Sequence, residues 1–501
     1  MDSTLPIQYI KKAGITTCLF LFLWKANASE AIWRFDPELN KAYEWAINLH
    51  PEKANELLSR YKGNALHKIY VQTLNETLQI LITEDHARFA GFDEQFKTRI
   101  KYLEGLSPSA ETLFLQAEIH LQRGFCYLNL GQEVNAVLSI RKANQLVMDC
   151  QKKFPAFIPI KKTAGAIQVM VGAVPEKYQW FMNLLGLKGS VTTGQKLLTD
   201  LRNSPSSLSI EASILFFAVK GFLNQEFTEA AVGIRDCLKE QPENRLLLFM
   251  GVNMLIKDAR SEEALQMIYR IDQQTQGLPM HYINYLRGEV LLQKGEYTRS
   301  IEAFKKFVDT YPSISFKKDS HFKIALNYWL LNDSRQAQFY FDKAKTTGSA
   351  KAEPDRYASY QLETGSLPNK KLSKVRFSTD GGYYKEANAV LQSITPTDLP
   401  SAKEQTEYYY RKARLAHGTG ELSAAKLFYQ QSIDMTKNNP WYFGANSALQ
   451  LGYIAKEQKD FTNARRYFEL ALSFQKHEYK NSIDSKARTE LELLTTTKAQ
   501  S

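Results

Sequence analysis

The run Gly189-Ser190-Val191-Thr192-Thr193-Gly194-Gln195-Lys196 nearly spells a phosphate-binding loop. In such a loop backbone N–H groups cradle phosphates and a lysine reaches the terminal one. Here Gln195 stands at the lysine position and Lys196 at the Ser/Thr position, and the segment before them reads as helix, not strand. Both glycines are accounted for as a turn and a helix contact. The histidines at 50, 67, 86, 120, 281, 321, 417 and 477 include no pair at i, i+3 or i+4, and there is no Cys-x-x-Cys. The spacing that would hold a metal is therefore missing. No serine sits in a Gly-x-Ser-x-Gly turn, and no pair of carboxylates is singled out for acid–base work. These residues predict no enzyme, no cofactor and no metal site. They leave recognition by surface complementarity, and whatever elements position the polar and aromatic side chains decide where.

Those elements repeat. Ala464 is followed by Phe468 at +4 and Ala471 at +7, and preceded by Gly452 and Ala455 at −12 and −9. The same register recurs at Ala136, Gly194, Ala230, Ala264, Ser300, Ala337, Ala387 and Ala425. A small anchor lets the second helix of a pair approach the first, and the residues at +4 and +7 fill the seam. Gly131, Gly189, Gly295, Gly382 and Gly420 each fall five residues before an anchor, where the first helix must stop, and Pro242 and Pro312 fall twelve after one. This register resembles the tetratricopeptide repeat, a helix–turn–helix unit of about 34 residues. From Gly194 onward the anchors are 36, 34, 36, 37, 50, 38 and 39 residues apart. The resemblance implies an all-α, right-handed solenoid of about ten helix pairs, which needs polar caps at its ends.

A closer resemblance covers about residues 165 to 470. It rests on Val174-Pro175-Glu176-Lys177, on Leu184 to Gly189, on Gly194 to Leu198 and on Asp380 to Tyr384. These look like the signature of a eukaryotic tetratricopeptide family that includes the fungal inclusion-body-clearance proteins and their animal relatives. That family implies a non-catalytic interaction protein of cytosol, nucleus or mitochondrial outer membrane. Only its fold carries over, because the N-terminus reads differently.

Lys11 and Lys12 precede an apolar run from Ala13 to Trp24, and Ala26-Asn27-Ala28 follows. This pattern predicts a secretory signal peptide cut after Ala28. Twelve apolar residues span about 18 Å as helix, short of the roughly 30 Å hydrocarbon core, so a membrane anchor is not expected. The chain has 501 residues, 44% apolar and 12% aromatic, with only 16 Pro, which excludes a disordered or collagen-like protein. Four Cys are too few for a disulfide scaffold. Removing residues 1–28 lowers the formal charge from +11 to +9. Basic pairs such as Lys152-Lys153, Lys161-Lys162, Lys317-Lys318, Lys370-Lys371 and Arg465-Arg466 are dispersed among acids, as on solvated helix faces. No nucleic-acid partner is expected; weak attraction to an anionic membrane or envelope surface suits the mild excess.

The expected organisation is a signal peptide over residues 1–28, an N-terminal helical cap over 29–110, repeats over 111–345, a flexible joint over 346–374, repeats over 375–480 and a capping helix with tail over 481–501. Within the cap, Asp36 to Arg60 and Asn64 to Glu104 read as long helices. Helical phase puts Leu121, Phe125 and Leu128, then Leu215, Val219 and Phe222, then Tyr282, Tyr285 and Leu292, then Phe322, Leu326 and Trp329 on the inner face. A groove this apolar needs a cover, and the helices between Asn64 and Glu104 are the expected one, with a partner helix as the alternative. The last two pairs instead offer Glu407, Tyr410, Arg414 and His417, then Asn446, Tyr453 and Lys456. Of these, Tyr410, Arg414, His417, Asn446, Tyr453 and Lys456 are the candidate partner-binding residues, being the polar and aromatic mixture of a recognition surface. The reading is an exported, periplasmic, envelope-associated or secreted scaffold that binds a protein partner. The alternative is a glycan- or nutrient-binding surface protein of the starch-uptake type. That protein would normally carry a lipobox cysteine, which is missing here. Its solvent-exposed tryptophan could only be Trp441.

Overall fold

The anchors are where the sequence places them. Ala136, Ala230, Ala264, Ser300, Ala337, Ala387, Ala425 and Ala464 have no accessible surface in a computed structural model of the chain. At the ninth anchor, Gly194, a Cβ would lie 2.6 Å from the Gly165 carbonyl oxygen, so the near-phosphate loop is a helix–helix contact. Residues 32–174, 182–350 and 352–498 are described; the expected signal segment and Pro175 to Phe181 of the family motif lie outside them.

At eight of the nine anchors, position −5 shows why the first helix stops; Gly189, five before Gly194, is not left-handed, and the described helix before it ends at Gly172. Gly131, Gly295, Gly382 and Gly420 there have φ between 69° and 83°. Gln225, Ala259, Asn332 and Lys459 occupy the same position with φ between 54° and 64°. The pair needs a left-handed residue at this point, which costs an L side chain about 1 kcal/mol and glycine nothing. Lys459→Gly is therefore expected to raise stability by about 0.5–1 kcal/mol, read as a higher denaturation midpoint. A fall would show that the Lys459 side chain itself holds the turn.

Two compact units are present, one of residues 1–247 with 275–279 and one of 248–274 with 280–501, a boundary that coincides with none of those expected from composition. In unit 1 the described helices are α1 (Pro37–Ile47), α2 (Pro51–Arg60), α3 (Ala65–Thr83), α4 (Arg88–Glu104), α5 (Ala110–Asn129), α6 (Glu133–Lys153), α7 (Ile160–Gly172), α8 (Val191–Arg202), α9 (Ser209–Ala218) and α10 (Phe227–Glu240). The two long helices expected in the cap are each broken. Leu49 (φ 59°) and Pro51 interrupt the first, and Glu84 (φ 51°) the second. Helices α3 and α4 pack on α5, burying Leu121 and joining Ile80, Phe92 and Cys126 in one cluster. The expected cover by 64–104 thus applies to this pair, while Leu128 and Phe222 stay 42% and 47% exposed.

One buried polar network ties the cap to the repeats. The Lys162 ammonium, 3% exposed, lies 2.8 Å from a Glu118 oxygen and 2.5 Å from a Glu211 oxygen. The hydroxyls of Tyr43 and Tyr70 donate to Glu211 at 2.9 and 2.7 Å, and Thr163 donates to Glu118 at 2.6 Å. The basic pairs are thus not all solvated: Lys162 is enclosed, and Lys318 is buried and donates to the Ala344 carbonyl at 2.9 Å. Adjacent helical residues are about 100° apart, so one of a pair can face inward while its neighbour stays in water.

Unit 2 holds most of α11 (Arg245–Lys257), then α12 (Ser261–Asp272), α13 (Tyr282–Lys294), α14 (Tyr297–Thr310), α15 (Lys317–Leu330), α16 (Ser334–Thr346), α17 (Glu353–Glu363), α18 (Lys370–Asp380), α19 (Tyr384–Gln392), α20 (Ala402–Gly418), α21 (Leu422–Thr436), α22 (Tyr442–Glu457), α23 (Phe461–Ser473) and α24 (Lys480–Lys498). Here the expectations for 346–374 and for the groove cover both change. Segment 346–374 contains helix α17, with Ala358 and Leu362 buried against Phe322, Leu326 and Phe341. It is no flexible joint, because its apolar residues at i and i+4 meet an apolar face that must be covered. Helix α18 packs on α13 and α15, and the Trp329 indole N–H donates to the Pro368 carbonyl at 3.0 Å. Residues 353–380 therefore cover the apolar face of the α15–α16 pair.

Asp355 fastens α17 in place. Its carboxylate accepts the N–H of Phe316 at 2.7 Å and of Asp319 at 2.9 Å. Burial raises its pKa to about 6 although these N–H groups pull the other way. Against about 3.9 in the unfolded chain, the folded state holds this proton more tightly. Its stabilising contribution is therefore full below about pH 4 and is lost as pH rises through about 6. Asp355→Asn should flatten that part of the stability profile, checked by urea midpoints at pH 4 and pH 7; an unchanged slope would assign the effect elsewhere.

Candidate functional site

First helices of successive pairs lie side by side in unit 2, so a residue on one meets the residue about 36 positions later. The Asn446 amide donates to the Tyr410 hydroxyl at 2.7 Å, and Arg414 donates to the Gln450 carbonyl oxygen at 3.4 Å. Lys456 pairs with Glu490 of the capping helix α24 at 2.5 Å. These contacts form a ladder along the inner edges of α18, α20, α22 and α24.

The six candidate residues divide on it. Tyr410 is buried, its pKa pushed up to about 12 by burial against the pull of Arg414 and Arg411. Its ring meets Tyr442 edge-on at 5.6 Å. Asn446 and Lys456 are half-buried and engaged with Tyr410 and Glu490, and Tyr453 packs edge-on against Phe468 at 5.6 Å. His417 lies 3.2 Å from the Tyr429 hydroxyl, and burial, then the Arg414 charge, hold its pKa down to about 4, so it is neutral at pH 7. Arg414 keeps a part-exposed charged head whose ion pair is longer than that of Lys456. Its side chain is 32% exposed and the nearest carboxylate, Asp380, stands 3.7 Å away.

Structure adds residues that the candidate set lacks. Arg376 on α18 donates to the Tyr357 hydroxyl at 2.7 Å and also stands 3.7 Å from Asp380. Arg411 donates to Glu407 at 2.6 Å and to the Tyr442 hydroxyl at 3.0 Å. Tyr479, just before α24, stacks on Tyr357 with ring centroids 5.1 Å apart and meets Tyr442 edge-on at 5.1 Å. The far end of the array thus returns to α17, and Arg376, Arg411 and Arg414 line the inner wall between. Arg376 was legible: it stands eleven residues before Ala387, as Arg414 does before Ala425 and Tyr453 before Ala464. Tyr357 and Tyr479 carry no such signal, because their meeting depends on the curvature of the array.

Residues 281–314, 406–439 and 445–477 each match the tetratricopeptide repeat family. The chain carries tetratricopeptide repeats. No curated protein matches it. Among solved structures, the apo quorum sensor NprR from B. thuringiensis shares 13% identity over 80% of this chain and 98% of its own, with a TM-score of 0.30. The human IFIT1 dimer with PPP-AAAA shares 14% identity over 88% of this chain and 95% of its own, also with a TM-score of 0.30. Tetratricopeptide repeats are protein-interaction scaffolds.

Features of other chemistries are placed as well. Trp441 is half-buried against the cluster of Tyr410, Tyr429 and Phe443, so it offers no open platform for a sugar ring. Cys126, Cys150 and Cys237 are free thiols, and burial pushes the first two up to about 12. Among the described residues no group of three or more His, Cys, Asp or Glu could hold a metal ion, and no helix is long and apolar enough to cross a membrane.

Proposed function

We propose that this tetratricopeptide-repeat chain is a non-catalytic binding or assembly protein, exported to the cell envelope or beyond, that holds a protein partner on the inner wall of α18, α20, α22 and α24. One observation carries the reading: the part-exposed side chains of Arg376 and Arg414 lie among tyrosines on that wall and share a single carboxylate, Asp380, 3.7 Å from each. Arginine and tyrosine are the residues that most often dominate interface energy. Export is supported by Lys11 and Lys12, the apolar run and Ala26-Asn27-Ala28.

The test is photo-cross-linking in the native cells, with the reactive group at Gln450 on the inner wall or at Leu427, which is 57% exposed on a second helix. A partner captured from position 450 and not from 427 is expected. Equal capture from both, or none, would overturn the reading. N-terminal sequencing of the recovered chain tests export, with residue 29 as the expected start.

A further inference from the structure

In unit 2, cationic side chains bridge successive second helices. Arg299 of α14 donates to the Tyr269 hydroxyl of α12 at 3.0 Å, and Lys305 of α14 lies 5.3 Å over the Tyr340 ring of α16. Lys426 of α21 donates to Gln458 at the end of α22 at 2.5 Å. Between α19 and α21 there is instead a cavity of about 310 Å3. Tyr384, Leu391, Leu415 and Phe428 make its apolar walls, and Lys385 and Lys412 stand among them. On α20 the lining positions 412, 415, 416 and 419 fall on the opposite side of the helix from Tyr410, Arg414 and His417, at about 100° per residue. The cavity therefore opens away from the inner wall and is separate from the partner surface proposed there.

Polarity and charge fix the class of ligand. Leu391 and Leu415 are buried and Tyr384 packs against them, so the floor takes apolar atoms. Lys412 is half-buried, its ammonium 4.2 Å from the centre of the Phe428 ring and 5.4 Å from that of Tyr408. Among the described residues no carboxylate lies within ion-pair distance of Lys412 or of Lys385. A ring face attracts a cation but accepts none of its three N–H donors as an anion would. Glu421 also lines the cavity, where its carboxylate accepts the Thr419 hydroxyl at 3.3 Å, and the two ammonium groups outnumber it. We propose that this cavity binds a small amphipathic carboxylate, with its apolar body on Tyr384, Leu391 and Leu415 and its carboxylate on Lys412 and Lys385. At roughly 30 Å3 for each group the cavity has room for about ten non-hydrogen atoms, the size of octanoate. Inorganic phosphate would leave the apolar floor empty, and a neutral alcohol would leave the ammonium groups unmet.

The experiment titrates octanoate, 1-octanol, octylammonium and inorganic phosphate into the full chain by calorimetry. Octanoate should bind saturably at one site, about tenfold or more tighter than 1-octanol, and weaken as salt is added. Octylammonium and phosphate should show no saturable binding. Lys412→Gln should lower octanoate affinity about five- to tenfold and leave 1-octanol unchanged. Asn388→Trp, at an exposed position on the cavity wall, should abolish octanoate binding by filling the space while keeping the melting temperature. Lys426→Gln, outside the cavity, should change nothing. No saturable octanoate binding, equal binding of octanoate and 1-octanol, binding of octylammonium or phosphate as tight as that of octanoate, or octanoate affinity that survives either Lys412→Gln or Asn388→Trp would overturn the inference. Because the cavity and the inner wall lie on opposite sides of α20, each of these results leaves the partner-binding reading untouched.

Discussion

Lys162→Met is expected to destabilise unit 1 by about 3–5 kcal/mol, because it leaves Glu118 and Glu211 buried together without their cation. Tyr43 on α1 and Tyr70 on α3 bind the same Glu211, so the loss should appear first as faster hydrogen exchange in α1 and α3. Adding Glu118→Gln and Glu211→Gln to Lys162→Met should recover most of the loss, since a neutral network of similar shape carries no unpaired charge. If the triple variant is no better than the single one, shape and not charge holds the cap. Burial pushes the Lys162 pKa down, but the two carboxylates outweigh it and hold it above the ordinary lysine value. A folded-state pKa raised in this way gives stability that is full below about 10.4, the unfolded value, and lost only as pH rises through the higher folded one. The wild type should accordingly lose stability in strong alkali where the triple variant does not.

The second large effect lies in the seam of the last pair. Phe468 is fully buried, and a Cβ on Gly452 would lie 2.4 Å from its ring. Phe468→Ala should cost about 3–5 kcal/mol through lost burial and the cavity left behind. Gly452→Ala should cost about 1–3 kcal/mol through overpacking. The double variant should be less destabilised than the sum of the singles by about 0.5–3 kcal/mol, because the added methyl enters the space the ring vacates. Strict additivity in the denaturation midpoints would mean that the two residues do not share that space. The loss should be confined to exchange in α22, α23 and α24, since each repeat depends mainly on its neighbours.

Much of the pair architecture was legible because it is local. A small anchor, a bulky residue at +4 and a helix stop at −5 are fixed by sterics within one unit, and every anchor is buried as the spacing requires. The stop was visible only where it is glycine; Gln225, Ala259, Asn332 and Lys459 adopt the same left-handed conformation without announcing it. Composition misled at 346–374, where Lys, Ser, Gly and Pro suggested a joint while Ala358 and Leu362 form a buried face. Helical phase put the six candidate site residues along one set of first helices, as their contacts show. It could not tell Arg414, which keeps an accessible head, from Tyr410, Asn446 and Lys456, whose polar groups are taken by neighbours one repeat away.

By itself, then, the sequence determined that this is a stack of helix pairs and which side chains form each seam, because those contacts join residues within one repeat length. The tertiary structure decided what lies on the inner face. Which segment covers the apolar groove, that Tyr479 returns to Tyr357, and which cations share one carboxylate depend on how small rotations between pairs accumulate over the array. No single repeat encodes that sum.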